Sequence, residues 1–250
     1  MIHSSLQKRL AALAAAAATL WLAGCGHHQQ AVYVPPPPPV SGSQPSYPPA
    51  NTTGMASAPA SPSATIPEHP IYSEVGMASW YGPPYNKRRG ANGEIFDQDA
   101  ITAAHRTLPM GSLIRVTNVS TGQTATMRVT DRGPFVPNRV LDLSVGAAKT
   151  IGVWRPGLAQ VRIDVLEAPK PIATGGRWCV QIGAFQSEHD ANKLEEHLQH
   201  KYQTANVIEF AGPTGHWVRI RPAGDDRQKA DEIQRELEPK EGQAYLVRLD

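Results

Sequence analysis

Two acidic side chains and one imidazole in the middle of the chain have the chemistry to move protons. Asp131 lies where an alternating segment, 127–130, meets a Gly-Pro pair that ends a strand. Glu94 and His105 lie upstream in two short polar segments. Carboxyl and imidazole groups held at strand ends are candidates for general acid–base catalysis. A second interpretation stays open, in which Asp131 caps its own turn and Arg132 lies in solvent.

The segments around these residues predict short strands joined by turns. Alternating apolar residues indicate strands, and Gly, Pro and Ser-Thr-Gly clusters separate them. Ser144 is placed to cap a short helix over 145–151. Many short strands with one or two small helices are typical of a closed barrel. The predicted strands are 76–81, 112–118, 124–130 and 160–166.

The C-terminal part of the chain, after a Pro- and Gly-containing linker at 169–175, contains an internal repeat. Strands are predicted at 178–185 and 216–221, and each leads into an amphipathic helix, capped near Ser187 and near Asp225. Two strand–helix–strand units of about 38 residues predict a four-stranded antiparallel sheet with two helices on one side.

Strand alternation divides the residues of this sheet between two faces. One set, together with Trp178, is predicted to pack on the helices: Val180, Ile182, Val218 and Ile220. The other set is predicted on the open face of the sheet. There the ring of Trp217 is flanked by amide and guanidinium donors, which suits a sugar, although Trp217 could instead pack under a loop. Cys179 lies on the same predicted open face and is assigned no function. The residues predicted on the open face are Gln181, Trp217, Arg219 and Arg221.

Residues 76–167 contain, in order, the blocks Trp80-Tyr81-Gly82, Ala91-Asn92-Gly93-Glu94, Phe96-Asp97, Thr102-Ala103-Ala104-His105, Leu108-Pro109, Val116-Thr117-Asn118, Asp131-Arg132-Gly133-Pro134-Phe135 and Asp142-Leu143-Ser144. Together these blocks resemble the rare lipoprotein A (RlpA) family of septal-ring lytic transglycosylases. Segment 176–250 resembles, with weaker motif content, the SPOR domain, a septal module that binds peptide-stripped glycan. The resemblance implies a mainly β plus α+β chain: a six-stranded double-psi β-barrel, then a ferredoxin-like βαββαβ SPOR domain.

The same resemblance implies an endolytic enzyme that cuts the MurNAc–GlcNAc bond and leaves 1,6-anhydro-MurNAc ends. Asp131 would be the general acid and base, by likeness to the single catalytic Asp of the MltA class. Glu94 would raise the proton affinity of Asp131 or share its role, and His105 would orient one carboxylate. Which carboxylate is the acid stays open. The further substrate contacts implied are Asn92, Arg132, Trp80 and Tyr81, of which the two aromatic residues could instead belong to the barrel core.

Two rival interpretations accompany this one. Glu94, His105 and Asp131 could bind a metal, but no short-range ligand motif is present, so we predict no metal and no cofactor. The chain could also be a non-catalytic protein that binds septal peptidoglycan, with its acidic residues gripping saccharide. The acidic residues Asp97, Asp99 and Asp142 are interpreted as caps or turn formers.

The N-terminus predicts export and anchoring. Lys8 and Arg9 precede an apolar run that ends in Leu-Ala-Gly-Cys, which has the layout of a signal peptide over 1–24. This ending resembles a bacterial lipobox, so lipidation is expected at Cys25, with the outer membrane favoured over the inner; a plain signal peptide is the alternative. Segment 25–70 is rich in Pro, Ala and Ser and predicts a disordered tether.

Charge divides the mature chain into two unlike parts. Residues 71–175 carry 12 Lys and Arg against 8 Asp and Glu, whereas 176–250 carry 10 against 13. A basic barrel, predicted over 71–168, suits an anionic polymer. In the periplasm, denuded peptidoglycan strands are the expected partner rather than nucleic acid, with membrane contact through the lipid anchor. Division-site (divisome) proteins are further candidate partners that the sequence does not identify.

Overall fold

The computed structural model describes residues 69–209, 215–237 and 243–250. The predicted signal peptide, the lipidation site at Cys25 and nearly all of the predicted tether lie outside the described residues. Within the described ranges, every helix is too short or too polar to span a membrane.

Six strands of the N-terminal half close into a barrel, in the order β1-β5-β2-β4-β3-β6. The β1–β5 and β2–β4 pairs are parallel and the other four pairs are antiparallel, so the barrel is mixed. This confirms the predicted six-stranded barrel, including two strands, β2 and β5, that hydrophobic alternation alone did not reveal. The elements are β1 (Tyr72–Tyr81), β2 (Thr102–His105), β3 (Leu113–Asn118), β4 (Thr124–Asp131), β5 (Arg139–Ser144), helix α1 (Val145–Thr150) and β6 (Ala159–Glu167).

The barrel interior is filled by aliphatic side chains from alternate strand positions. Burying these side chains is the main favourable term for a small domain without disulfides. Helix α1 closes one end, and Ser144 caps it as predicted, since its hydroxyl accepts a hydrogen bond from the Ala147 amide. The fully buried residues of the interior include Ala78, Ala103, Ile114, Val116, Val129, Leu141, Leu143, Val161, Ile163 and Val165.

The C-terminal half forms a four-stranded sheet in the order β10-β7-β9-β8, with two helices on one face. All its strand pairs are antiparallel, which confirms the predicted βαββαβ layout. Trp178 and the four predicted aliphatic residues pack with the helices, as alternation indicated. The elements are β7 (Trp178–Phe185), α2 (Glu188–Gln199), β8 (Asn206–Glu209), β9 (His216–Ile220), a 3-10 turn (Ala223–Asp225), α3 (Arg227–Glu236) and β10 (Gln243–Arg248).

The other face of this sheet packs on the barrel. Phe135, from the loop between β4 and β5, enters a cluster formed by Cys179, Trp217, Tyr245 and Val247. Backbone hydrogen bonds extend the contact, since the Arg248 amide donates to Arg106 (3.0 Å) and the Met110 amide donates to Asp250 (3.1 Å). The sheet face that we expected to be open is therefore covered by the barrel.

Candidate active site

Asp131 and Asp142 belong to one row of residues that crosses four strands of the barrel. Ala104 of β2 is the Cα partner of Asp131 in β4 and of Asp142 in β5. Ser79 of β1 is in turn the partner of Asp142. Residues paired in this way direct their side chains to the same face of a sheet. The row therefore brings two carboxyl groups to one surface, with only the methyl group of Ala104 between them.

A bulge at Thr130 decides where Asp131 points. On the β2–β4 ladder Ala103 pairs with Val129, but Ala104 pairs with Asp131, so Thr130 is skipped. Val129 is completely buried in the barrel interior, and strict alternation would send Asp131 to the same side. The extra residue re-aims Asp131 to the opposite side, which is a common use of bulges near functional sites.

Asp131 is fixed through one of its two carboxyl oxygens. Oδ1 accepts hydrogen bonds from the amides of Ala91 (3.0 Å) and Arg132 (2.8 Å). Oδ2 faces Gly90, where a Cβ atom would lie only 3.6 Å from it. Burial raises the pKa of Asp131, the two amides partly oppose this, and the charge of Asp142 adds to the rise. A half-buried carboxyl with a raised pKa can hold a proton for donation.

Asp142 is held in a similar way from the other side of the row. Its Oδ1 accepts a hydrogen bond from the Ser79 hydroxyl (2.5 Å) and lies 3.8 Å from Nε of Arg139. Its Oδ2 faces Gly133, where a Cβ atom would lie 3.6 Å away. Burial raises the pKa of Asp142, while the charges of Arg139 and Arg106 and the Ser79 hydrogen bond lower it in part.

Tyr81 lies next to both carboxyl groups. Its ring stacks on Phe96 with centroids 4.5 Å apart, and its hydroxyl is buried with no hydrogen-bond partner among the described residues. Burial raises the pKa of Tyr81 well above its usual value, and the charges of Asp131 and Asp142 raise it further. The phenol is therefore an available donor at the acidic pair.

Trp80, the neighbour of Tyr81 in β1, points to the other side of the strand. It packs on Trp154 with ring centroids 4.1 Å apart and contacts the buried barrel cluster. Of the two aromatic residues predicted at the cleft, the structure brings Tyr81 to the carboxyl groups and places Trp80 against the core.

Glu94 and Asn92 form the exposed wall of the site. The Asn92 amide group donates to Glu94 Oε2 (2.7 Å), and the Glu94 amide donates to Asn92 Oδ1 (2.9 Å). The backbone N–H of Asn92 donates a hydrogen bond to the backbone carbonyl of Thr130 (3.2 Å), which joins this loop to the strand end that carries Asp131. Glu94 thus lies on the loop that covers Asp131, but within the described part of the chain its side chain accepts a hydrogen bond from Asn92 alone.

His105 is buried and orients a carboxylate that the sequence analysis did not name. Its Nδ1 accepts hydrogen bonds from the amides of Thr107 (3.2 Å) and Leu108 (3.0 Å), so the ring proton lies on Nε2, 2.8 Å from Glu74 Oε1. Burial tends to raise the pKa of Glu74, but the bond from His105 and the charge of Arg106 lower it overall. His105 therefore shapes the turn that follows β2.

Arg132, predicted to hold substrate, makes its hydrogen bonds to backbone carbonyls. Nη1 donates to His105 (3.0 Å) and Leu108 (2.8 Å), and Nη2 donates to Asp250 (2.8 Å). Burial lowers the pKa of Arg132 to about 10. Its guanidinium joins the strand end of Asp131 to the turn after β2 and to the C-terminus of the second domain.

The four residues predicted on a sugar-binding sheet face are placed together only in part. Gln181 and Arg219 share a hydrogen bond (3.1 Å), and Gln181 and Trp217 are 0% and 1% exposed. Phe135 of the barrel covers Trp217, with ring centroids 4.9 Å apart. Arg221 is exposed and pairs with a carboxylate of its own turn, 2.5 Å away.

The arrangement around Asp131 is suited to proton transfer. It offers two half-buried carboxyl groups with raised pKa values and a nearby phenol. Within the described ranges, no group of three or more His, Cys, Asp or Glu side chains is arranged to hold a metal ion.

Asp142 and Glu74 received no role from the sequence. Asp142 was interpreted as a cap or turn former, but it lies inside β5 between the fully buried Leu141 and Leu143. That apolar–polar–apolar pattern is a strand signal that could have been recognised. For Glu74 no comparable signal exists, because its contact with His105 joins residues 31 positions apart.

Comparison with known proteins agrees with this architecture. A family model described as "Lytic transglycolase" matches residues 73–163, and the SPOR domain model matches residues 174–248. The crystal structure of a Clavibacter michiganensis expansin has 19% identity and covers 46% of this chain and 59% of that chain. Its TM-score of 0.33 is too low to support an inference about function.

Three curated relatives carry the name endolytic peptidoglycan transglycosylase RlpA, one of them as probable. The Synechocystis protein, the probable one, is 53% identical over 37% of this chain and 29% of its own length. The Campylobacter jejuni protein is 39% identical over 48% of this chain and 52% of its own length, so this chain spans about half or less of these two relatives. The protein of Neisseria meningitidis serogroup A is 39% identical over 64% of this chain and 70% of its own length. With a matching family model on each of its two domains and this coverage of the Neisseria protein, the chain belongs to the RlpA family.

Proposed function

We propose that this protein is a lytic transglycosylase that cuts the MurNAc–GlcNAc bond of peptide-stripped peptidoglycan strands. Asp131 is the general acid and base. The observation that carries the proposal is the state of its carboxyl group: one oxygen is fixed by two amides, the other faces Gly90, and burial raises its pKa. The names of the relatives support the same reaction.

The proposed reaction needs one carboxyl group to act twice. Protonated Asp131 donates its proton to the glycosidic oxygen as the C1–O bond breaks, and positive charge develops on the muramyl ring. The C6 hydroxyl of the same ring then attacks C1 and forms the 1,6-anhydro ring. The Asp131 carboxylate takes the proton from that hydroxyl and is restored. Water is not consumed, and the products together contain the atoms of the substrate.

The other predicted residues have supporting roles in this proposal. Glu94 and Asn92, on the exposed loop that covers Asp131, bind saccharide hydroxyl groups at the rim of the site. Tyr81 contributes its hydroxyl beside Asp131. His105 and Arg132 act through the backbone turns that they hold in place rather than through substrate.

The remaining parts of the proposal concern where the enzyme works. Lipidation at Cys25 would anchor the chain at the periplasmic face of a membrane, the outer one in preference, and the SPOR domain would direct it to septal glycan. A SPOR match over residues 174–248 supports septal targeting, and the Leu-Ala-Gly-Cys sequence supports the anchor. Proteins of the division site are further expected partners.

A non-catalytic glycan-binding protein is the second candidate. The exposed, mutually bonded pair Asn92 and Glu94 favours it, because such a pair can grip sugar hydroxyls without chemistry. The raised pKa of Asp131 favours the enzyme, since a raised pKa helps a carboxyl group to donate a proton and gives no advantage to binding alone.

The deciding experiment incubates the mature chain carrying Cys25→Ser with amidase-stripped glycan and identifies the products by mass spectrometry. Anhydro-muramyl ends support the transglycosylase. Reducing ends would indicate a hydrolase, and intact strands that pellet with the protein would indicate the binding protein. Asp131→Asn and Glu94→Gln should each reduce cleavage while pelleting with glycan is retained.

A further inference from the structure

The second carboxyl group of the row, that of Asp142, has the same presentation as that of Asp131. Each Oδ1 is anchored: that of Asp131 by two amides, that of Asp142 by the Ser79 hydroxyl. Each Oδ2 faces a glycine, Gly90 for Asp131 and Gly133 for Asp142. Among the described residues neither Oδ2 accepts a hydrogen bond, so that oxygen of each carboxyl group is available to contact a substrate.

The floor between the two carboxyl groups is made of the smallest residues. A Cβ at Gly133 would lie 3.8 Å from the Ala104 methyl carbon and 3.6 Å from Asp142 Oδ2. Gly133 has a φ of 142°, which disfavours any side chain there. Asp131 and Asp142 are two strand spacings apart, about 10 Å between Cα atoms. Carboxyl groups on that frame can face one glycosidic bond from two sides.

Asp131 and Asp142 differ in the charged groups that surround them. Asp142 is flanked by the cation of Arg139 and, further off, by that of Arg106. Asp131 has no ion pair among the described residues: its hydrogen bonds come from neutral amides, and the charge of Arg132 lowers its pKa less than those amides do. An ion pair favours the ionised form of a carboxyl group, so Asp142, which pairs with Arg139, is the member better suited to carry the negative charge in the proposed reaction.

We propose that Asp142 is the second catalytic carboxylate of this site: ionised, it faces the muramyl ring and stabilises the positive charge that develops at C1 while Asp131 donates its proton. This inference rests on the proposed transglycosylase function. Tyr81, whose buried hydroxyl lies beside both carboxyl groups, donates a hydrogen bond within the same cleft. Neither residue was a predicted catalytic group.

The first test is Asp142→Asn in the mature chain with Cys25→Ser. Asn keeps the shape and the acceptor for Ser79 but removes the charge. We expect the rate of anhydro-end formation to fall at least 100-fold, with glycan pelleting retained. Asp164→Asn is the matched control, because Asp164 also accepts from a serine, Ser73 (2.7 Å), and also pairs with an arginine, but lies on β6 outside the row. It should cleave at the wild-type rate.

The second test uses the pH dependence and needs no change at Asp142. Asp142 must be ionised for cleavage, so the rate should fall at acid pH as Asp142 takes up a proton. The Ser79 hydrogen bond stabilises the ionised form, so Ser79→Ala should move this acid limb to higher pH. The groups that face Asp142 and titrate or carry charge are Asp131, Tyr81, Arg106 and Arg139, and all are kept in this variant.

The outcomes separate the two proposals. Wild-type protein that makes no anhydro ends would overturn the proposed function itself. If the wild type cleaves and Asp131→Asn does not, wild-type cleavage by Asp142→Asn would overturn only the role of Asp142. If Asp142→Asn fails to fold, an unshifted acid limb in Ser79→Ala overturns that role instead.

Discussion

Phe135 of the barrel packs against Trp217 of the SPOR domain, with ring centroids 4.9 Å apart and ring planes inclined by 54°. Phe135 also meets Tyr245 edge-on at 5.7 Å. The sheet face that carries Trp217 and Gln181 is consequently sealed, and the thiol of Cys179 is buried with it. A glycan strand can reach this face only after Phe135 has left it.

Phe135→Ala should therefore loosen the contact between the two domains. Two aromatic pairs at about 0.5–1.5 kcal/mol each are lost, and this total of about 1–3 kcal/mol corresponds to roughly a 5- to 150-fold change in the open population. In a mature chain with Cys25→Ser, Cys179 is the sole thiol, and its maleimide labelling should accelerate at least about fivefold, with tighter pelleting on denuded glycan. Val119→Ala, at an exposed barrel position, should change neither. Unchanged labelling of Phe135→Ala would show that the face is not gated by Phe135.

Asp131→Asn should make the folded protein more stable at neutral pH. The pKa of Asp131 is raised in the folded state, so its carboxyl group stabilises folding below its unfolded pKa, about 3.9, and this contribution is lost as pH rises through the folded pKa. Asn cannot ionise, so the variant avoids this loss of stability at neutral pH. Its side-chain oxygen can still accept the hydrogen bonds from the two amides. The melting temperature should rise by a few degrees at pH 7.5 and by nothing at pH 3.

Asp164→Asn should change the melting temperature at pH 7.5 in the opposite direction to Asp131→Asn. The pKa of Asp164 is lowered: burial opposes this, but the Ser73 hydrogen bond and the charges of Arg162 and Arg115 outweigh it. Its carboxylate therefore stabilises the fold above the unfolded pKa, and the variant should melt lower at pH 7.5. Equal shifts in Asp131→Asn and Asp164→Asn would mean that Asp131 is not an energetically costly carboxylate.

The alternation of the second sheet could be predicted because it is local. Val180 and Ile182 against Cys179 and Gln181 divide correctly between two faces on the period of a strand alone. What covers the second face could not be predicted, since Phe135 reaches it from a loop more than 40 residues upstream of Cys179.

The direction of Asp131 shows why the site itself was only partly predictable. Its place at a strand end followed from the sequence, but its side is set by the bulge at Thr130, which depends on the pairing with Ala104. The carboxylate whose charge raises the pKa of Asp131 also differs from the expected one, because Asp142 rather than Glu94 lies in the same row of residues. Both facts are properties of strand register, which one chain segment does not encode.

Arg132→Lys should destabilise the protein rather than weaken substrate binding. The guanidinium group of Arg132 donates hydrogen bonds to the backbone oxygens of His105, Leu108 and Asp250 at once, and the single ammonium group of lysine cannot reproduce this geometry. Leaving partly buried carbonyls unpaired should lower the free energy of unfolding by about 2–4 kcal/mol, measured by urea denaturation, with KM for glycan unchanged. Arg128→Lys is the control, since exposed Arg128 makes a single bond to Gly111. A raised KM with unchanged stability would restore the substrate-binding role for Arg132.

His105 and Glu74 should be coupled in stability. His105→Ala removes the acceptor for two amides, those of Thr107 and Leu108, and should cost about 2–4 kcal/mol. A double-mutant cycle with Glu74→Gln should give a coupling energy of about 1 kcal/mol or more at pH 7. The pKa of Glu74 is lowered, so its contribution is present above its unfolded pKa, about 4.3, and is lost as pH falls through the folded value.

The same cycle distinguishes a positioning role for His105 from direct chemistry. If His105 acts through the turn that also receives Arg132, cleavage by Glu74→Gln should fall only as far as its folded fraction falls. The coupling should also shrink when denaturation is repeated at pH values that fall through the lowered folded pKa of Glu74, because its carboxylate is then protonated in the wild type as well. A Glu74→Gln protein that is as stable as wild type but does not cleave would instead place the His105–Glu74 pair in the proton path, because no structural loss would then account for the lost activity.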